Sequence, residues 1–144
     1  MSLPLLILAL VAKESSAIAE TMPRGVATYR LLRDLDASPV ERLLLLSTGH
    51  HESRWRTDAV NPKGGDCGPT QVRAPEMWGS SCAAILADPA EGYRIALRIL
   101  RHARAVCPGT WGRSLTVYVS GRCDVAPSKA RELCGPAGLC AEAS

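Results

Sequence analysis

The stretch SPVERLLLLSTGHHES, residues 38–53, decides the fold that the sequence predicts. Its first four residues place a hydroxyl at the N-cap, a proline at the first helical position and a carboxylate at the third. The side chains of Ser38 and Glu41 can then satisfy amides at the helix start. Four consecutive leucines follow and predict a largely buried helix that runs toward Glu52. We therefore expect a helix that carries an ionisable group at or near its end.

Glu52 is the candidate catalytic residue on this ground. Partial burial disfavours the charged form of a carboxyl group, and the raised pKa that results suits a general acid that works near neutral pH. The alternative is a solvated carboxylate in the last helical turn, and the local pattern alone favours that alternative.

Other helices are predicted by the same kind of signal. Asp88-Pro89-Ala90-Glu91 repeats the capping device, and the apolar residues behind it recur at helical spacing. The arginines of this helix gather on another face, which makes the helix amphipathic and basic: Arg94, Arg98, Arg101 and Arg104. Further helices are expected over 26–35, after a break at 23–25, and from a cap at Ser128.

Leu3 to Ala12 is almost wholly apolar. This run is too short for a bilayer span, which needs about 20 residues. We interpret it as a retained, buried first helix. The alternative is an export signal with a small-residue cleavage site at Ala17-Ile18-Ala19, although no basic residue precedes the apolar run.

Between Arg54 and Pro75, glycines and prolines break any helical period. The pattern predicts a long loop or a small hairpin, and a loop of this length inside a helical domain is often functional. The chain also has six cysteines, an even number that favours disulfides formed outside a reducing cytoplasm. Of the possible pairings we favour the local one: Cys67 with Cys82, Cys107 with Cys123, and Cys134 with Cys140.

The composition bounds the class of protein. With 144 residues, 47% hydrophobic and 22% charged, the chain fits one globular domain rather than a disordered or polytopic membrane protein. Aromatic residues make up 4% and phenylalanine is absent, which leaves little for stacking on nucleic acid bases. The net charge of +3 suits an anionic partner such as a cell-wall polymer. His50 and His51 lack the spacing of metal ligands, so neither a metal nor a cofactor is expected.

Four short motifs, taken together, resemble the signature of the soluble lytic transglycosylases and goose-type lysozymes. That family's pattern is Glu-Ser-x-aromatic, Ala-Val-Ser-Pro-x-Gly, Gly-Leu-Met-Gln-aliphatic with a proline shortly after, and Ala-Tyr-Asn-x-Gly. The similar segments are Glu52-Ser53-Arg54-Trp55, Ala59-Val60-Asn61-Pro62-Lys63-Gly64, Gly68-Pro69-Thr70-Gln71-Val72 with Pro75, and Val117-Tyr118-Val119-Ser120-Gly121. The match covers about 38–121, with order and approximate spacing kept.

The resemblance implies a mainly α, lysozyme-like (α+β) single domain over 1–144, with the loop or small hairpin beside the catalytic helix. N-terminal helices would occupy 1–37, the catalytic core 38–121, and a Cys-containing helix and tail 122–144.

The resemblance also implies cleavage of the β-1,4 bond between N-acetylmuramic acid and N-acetylglucosamine in peptidoglycan. Glu52 would protonate the bridging oxygen and Ser53 would help to orient Glu52. The remaining substrate-binding residues would be Gly68, Thr70, Gln71 and Tyr118.

The second step of the reaction stays open at this point. In the family the deprotonated glutamate takes a proton from the substrate's own C6 hydroxyl, which yields a 1,6-anhydro end. If water reacts instead, Asp58 or Asp66 would position it as a second carboxylate. Lyase and hydrolase are therefore both compatible with the sequence.

The departures from the family pattern support a second hypothesis. Pro69-Thr70 replaces Leu-Met, Asp66-Cys67 adds about one residue, and Val119 stands where the family has asparagine. The altered segment Gly68-Pro69-Thr70-Gln71 and Val119 favour a non-catalytic lysozyme-like component of a virion or secretion machine that binds the wall. A third hypothesis is a helical nucleic-acid binder that uses the arginine face.

For the enzyme, the expected partners are peptidoglycan glycan strands, together with other virion or envelope-machine proteins, and not nucleic acid. We expect an extracytoplasmic location, in the periplasm or cell wall, and a phage-encoded lysin or virion-associated enzyme is the favoured context. No transmembrane span is expected.

Overall fold

The computed structural model describes residues 2–12, 18–123, 128–134 and 140. Within these residues the chain is mainly helical and forms no strand, so the predicted α class is confirmed and a β component is not shown. The elements in chain order are α1 (Leu3–Val11), α2 (Ile18–Arg33), α3 (Pro39–Ser53), a 3-10 helix (Pro75–Trp78), α4 (Cys82–Ala87), α5 (Pro89–Val106), α6 (Trp111–Ser120) and α7 (Ser128–Leu133).

Helix α3 begins as the sequence predicts and lies at the centre of the fold. Ser38 Oγ accepts from the Glu41 amide at 3.2 Å, and the Ser38 amide donates to Glu41 Oε1 at 2.8 Å. The leucines behind this cap are completely or almost completely buried. Four helices pack around α3, namely α1, α2, α5 and α7.

Glu41 also joins α3 to α5. Its two carboxylate oxygens lie 3.1 and 2.9 Å from the guanidinium nitrogens of Arg101. Burial alone would raise the pKa of Glu41. The hydrogen bonds from Arg101 and Ser38 outweigh that effect and hold the pKa below its usual value. One carboxylate therefore caps one long helix and fastens it to the other.

Helix α2 differs from the expectation. It begins at Ile18 and passes through Pro23, so the predicted break at 23–25 is wrong. Proline costs a helix one hydrogen bond, yet the helix continues past Pro23, and two residues later Gly25 lies against the indole of Trp55. A Cβ atom at Gly25 would stand 2.7 Å from Trp55 Cζ3. Close helix packing, rather than local propensity, explains the glycine.

The remaining helices agree with the sequence in part. Helix α1 buries Leu6, Ile7, Leu10 and Val11 as a first helix should, and α5 begins at Pro89 with Asp88 as its cap. Helix α7 starts at Ser128, and the Ala17 cleavage alternative falls outside the described residues. Helix α6 is not predicted by the sequence analysis, although Thr110 caps it by accepting from the Arg113 amide.

The long loop after α3 is confirmed, and its hairpin is vestigial. Two isolated antiparallel bridges pair Val60 with Cys67 and Cys67 with Val72. All three predicted disulfides are present, Cys67–Cys82, Cys107–Cys123 and Cys134–Cys140. Among the described residues no helix has both the length and the apolar character that a membrane span requires.

Candidate active site

A cleft of about 310 Å³ lies where the end of α3, the following loop, the 3-10 helix, α5 and α6 meet. It brings together predicted residues that are far apart in the chain, Glu52, Gln71 and Tyr118. The full lining is Glu52, Asp66, Thr70, Gln71, Val72, Arg73, Ala74, Met77, Trp78, Ile99, Tyr118 and Val119.

The partly buried Glu52 enters the cleft from the last turn of α3. The helix ends directly behind it because Arg54 and Trp55 both adopt positive φ angles, 55° and 60°. The chain turns back, and Trp55 Nε1 donates to the carbonyl oxygen of Leu46 at 2.9 Å. Trp55 is 1% exposed and packs in the main core.

Ser53 connects the end of α3 to the loop that forms the cleft wall. Its hydroxyl lies 2.7 Å from the carbonyl oxygen of Pro69 and accepts from the Arg56 amide at 3.1 Å. Ser53 is buried and does not line the cleft. The role of Ser53 is therefore to fix the position of Glu52 relative to the loop, and Ser53 itself does not contact a ligand in the cleft.

Gln71 has an unusual backbone and a fixed amide. Its φ is 51°, in the left-handed region, which costs a non-glycine residue about 1–2 kcal/mol. Its Nε2 donates to the carbonyl oxygens of Gly68 at 2.9 Å and Ala59 at 3.2 Å. Because the nitrogen is committed to the backbone, Oε1 is the atom that Gln71 offers to a ligand.

Gly68 and Thr70 hold the loop in place. Gly68 has φ 80°, and a Cβ atom there would collide with the side chain of Ile85. Thr70 is buried and its Oγ1 donates to the carbonyl oxygen of Gly92 in α5 at 3.3 Å. The structure thus places both of these predicted substrate-binding residues where they support the wall: Gly68 outside the cleft lining and Thr70 within it.

Tyr118 lies close enough to Glu52 for the carboxylate to affect the ionisation of the phenol. Burial raises the pKa of Tyr118, and repulsion from the Glu52 carboxylate, and from Tyr93 where that phenol ionises, raises the pKa further. The phenol is therefore neutral near pH 7 and keeps its proton for hydrogen bonding. Its neighbour Val119 lines the same cleft and contributes an apolar surface.

The two candidate second carboxylates lie in different places. Asp66 lines the cleft, has a side chain that is 15% exposed, and lies 3.3 Å from Nε of Arg73. Asp58 lines a separate cavity instead. Asp66 is thus the one of the two that shares the cleft with Glu52.

Sequence reasoning missed the apolar wall of the cleft, which Met77, Trp78 and Ile99 form. Arg98 Nη1 donates to the Trp78 carbonyl oxygen at 2.7 Å, and His102 meets the Trp78 ring edge-on with centroids 5.7 Å apart. The sequence offered two signals, an aromatic residue (Trp78) three positions after Pro75 and the helical spacing of Ile99 on α5. Neither signal indicates that these residues line a cleft.

The basic face of α5 exists, and its arginines contact other parts of the protein. Arg94 pairs with Asp88 at 2.7 Å and Arg101 with Glu41, while the guanidinium of Arg104 lies 4.2 Å above the Trp111 ring. Because these contacts occupy much of the face, the structure adds no support to the nucleic-acid hypothesis. His51 Nε2 lies 3.4 Å from Glu132, and the described residues contain no cluster suited to a metal ion.

Comparison with family models, with curated proteins and with solved structures finds no match to this chain. The family resemblance therefore depends on the sequence motifs alone.

Proposed function

We propose that this protein cleaves the glycan strands of peptidoglycan, with Glu52 as its single general acid. The observation that carries the proposal is the cleft itself, in which Glu52, Gln71 and Tyr118 converge from α3, the long loop and α6. These are the residues that the motif resemblance selects. A ligand-sized cleft with a few convergent polar groups is the usual form of a binding site.

The proposed first step is protonation of the bridging oxygen between N-acetylmuramic acid and N-acetylglucosamine. The C–O bond breaks as Glu52 donates its proton, and positive charge develops on the sugar ring. Gln71 Oε1 can accept a hydrogen bond from an N-acetyl N–H or a sugar hydroxyl. The neutral Tyr118 can donate one, and its raised pKa keeps it able to do so across the working range.

Two second steps fit the cleft. The deprotonated Glu52 takes the proton of the substrate's C6 hydroxyl, whose oxygen closes the 1,6-anhydro ring, or Asp66 positions a water that adds to the ring. The products differ by one water, so mass spectrometry of digested walls separates lyase from hydrolase. In a hydrolase that uses Asp66, Asp66→Asn abolishes the reducing-end product. A lyase keeps the 1,6-anhydro product in that variant.

The decisive experiment compares wall clearing by wild type and Glu52→Gln. A general acid contributes about 10²–10⁴-fold, so we expect the variant to clear walls at least about 100-fold more slowly. Glu20→Gln, an exposed carboxylate on α2, is the matched control and should clear at the wild-type rate. Equal clearing by wild type and Glu52→Gln would refute the enzymatic proposal.

The apolar Val119 favours a second candidate function, a lysozyme-like component that binds the wall without cutting it. With valine in place of asparagine, the cleft lacks one polar group. This loss would weaken binding of the sugar at the cleavage site more than it would weaken attachment of the protein to the polymer. In that case wild type and Glu52→Gln sediment equally with purified walls and neither clears them. The same pair of proteins thus tests both functions.

The proposed setting is outside the reducing cytoplasm. Three disulfides fit a periplasmic, cell-wall or virion-associated protein. The proposed architecture is lysozyme-like (α+β), with the vestigial hairpin of the two bridges beside the cleft. Peptidoglycan glycan strands are the proposed partners, with virion or envelope-machine proteins as the assembly context.

A further inference from the structure

A second cavity, of about 520 Å³, lies between α2, the segment after α3 and the start of α5. Its volume is within the range of about 300–1,000 Å³ that is usual for small-molecule sites. The lining residues are Arg24, Ala27, Thr28, Leu31, Trp55, Arg56, Thr57, Asp58, Pro89 and Tyr93. None of them lines the candidate active site, so this is a separate place on the molecule.

The arginines of this cavity differ from Arg94 and Arg101 of α5, which pair with carboxylates. Within the described residues neither Arg24 nor Arg56 forms an ion pair with a carboxylate. Arg24 Nη1 donates to the Arg54 carbonyl oxygen at 3.4 Å, and Arg56 Nε donates to that of Ser53 at 3.2 Å. These bonds anchor both guanidiniums at the end of α3. Each has five N–H donors, and the remaining ones can bind a carboxylate in bidentate fashion.

The floor of the cavity supplies apolar and aromatic surface. Tyr93 and Trp55 are each 1% exposed, and the Tyr93 hydroxyl is enclosed against Gly49 of α3. A ligand therefore meets the rings of these two residues at the floor, and the polar contacts come from the arginines and Asp58.

We propose that the second cavity binds a peptide that ends in a free carboxylate. Arg24 and Arg56 hold the carboxylate, and Ala27 and Leu31 accept a small aliphatic side chain. Asp58, on the same rim, accepts from a peptide N–H, which a simple inorganic anion lacks. The stem peptides of peptidoglycan end in D-alanine and have this chemistry. Naming them as the source rests on the proposed function, whereas the carboxylate site itself does not.

The three tryptophans allow a direct test by NMR. Trp55 lies in the second cavity, Trp78 in the candidate active site and Trp111 in neither. N-acetyl-D-alanyl-D-alanine is titrated into the full-length Glu52→Gln protein while the three indole N–H signals are followed. We expect a saturable shift at Trp55 alone, and at least tenfold weaker binding of the C-amidated peptide. Equal binding of acid and amide, or no shift at Trp55, would overturn the proposal.

Variants localise the site. Arg24→Gln and Arg56→Gln should each weaken binding at least tenfold, whereas Arg33→Gln, which removes an exposed arginine outside the cavity, should not change it. Thermal melting checks that each variant is folded. Unchanged affinity in both cavity variants contradicts the assignment.

Stereochemistry identifies the source. Preference for D-alanyl-D-alanine over N-acetyl-L-alanyl-L-alanine supports the wall stem peptide. Preference for the L form refutes that source and supports the carboxyl terminus of a protein, and equal binding supports recognition of the carboxylate alone. Peptide binding is measured at Trp55 in the Glu52→Gln variant, and wall clearing is measured with the wild type. The two results are independent, so the cavity proposal can hold when the enzymatic proposal fails, and the enzymatic proposal can hold when the cavity proposal fails.

Discussion

The central helix and the loop that follows it are stabilised in different ways. Helix α3 is enclosed by four helices and contributes consecutive buried leucines to the main core. Apart from Trp55, which packs in the main core, the loop 54–74 contributes Cys67 and Val72 to a small separate cluster with Ile85 and Ile95. Its other ties are individual hydrogen bonds and one disulfide. The core around α3 therefore provides most of the stability, whereas the geometry of the cleft depends on a few individual hydrogen bonds and one disulfide.

The largest expected effect on stability is in the core. Leu45→Ala leaves a cavity at a fully buried position and should lower the free energy of unfolding by about 2–5 kcal/mol. Leu86→Ala, on the partly exposed α4, is the matched control and should cost far less. Urea denaturation measures both. A similar loss in the two variants would contradict the assignment of the core.

The disulfides separate stability from cleft geometry. Cys67–Cys82 and Cys107–Cys123 span 15 and 16 residues, so loop entropy predicts a similar loss of about 3 kcal/mol for each Cys-to-Ser pair. Cys67–Cys82 belongs to the cluster behind the loop wall of the cleft, and Cys107–Cys123 packs in a different cluster that includes Tyr118 of the cleft lining. We expect Cys67→Ser/Cys82→Ser and Cys107→Ser/Cys123→Ser both to lose wall clearing per folded molecule. Cys134→Ser/Cys140→Ser, whose cysteines pack against the main core and do not line the cleft, should keep it.

Two glycines of the loop refine the comparison. Gly65 and Gly68 have φ of 71° and 80°, so alanine at either position pays about 1–2 kcal/mol of backbone strain. Alanine at Gly68 also collides with Ile85, whereas a Cβ at Gly65 meets nothing within 4 Å. Gly68→Ala should therefore be the more destabilising variant and also the one that slows clearing. Thermal melting measures both variants. Equal losses of melting temperature in Gly65→Ala and Gly68→Ala would show that the Ile85 side chain moves away at no cost.

The smallest effect concerns acid stability. Because the folded-state pKa of Glu41 lies below its ordinary value of 4.5, the unfolded chain takes up this proton first as the pH falls. The contribution of Glu41 is fully present above that value and is lost as the pH drops through the folded-state pKa. Urea midpoints measured from pH 6 to pH 3 should fall less steeply in Glu41→Gln than in wild type. Parallel curves would contradict this role.

Sequence reasoning succeeded where the cause is local. The cap of α3, the start of α5 and the pairing of neighbouring cysteines each depend on residues a few positions apart in the chain, or on short closed loops. It failed at Pro23, where a long-range contact between Gly25 and Trp55 accompanies a continuous helix. It also missed Trp78, because a short 3-10 helix has no periodicity that points to a cleft.

By itself, the sequence determined a mainly helical chain, a capped helix that carries Glu52 at or near its end, and the motif residues worth following. Only the tertiary structure decided that Glu52, Gln71 and Tyr118 share one cleft and that Asp66 joins them while Asp58 does not. The physical reason is the range of the interactions. Caps and turns are satisfied within a few residues, whereas a cleft exists only after distant helices have buried their apolar faces against one another.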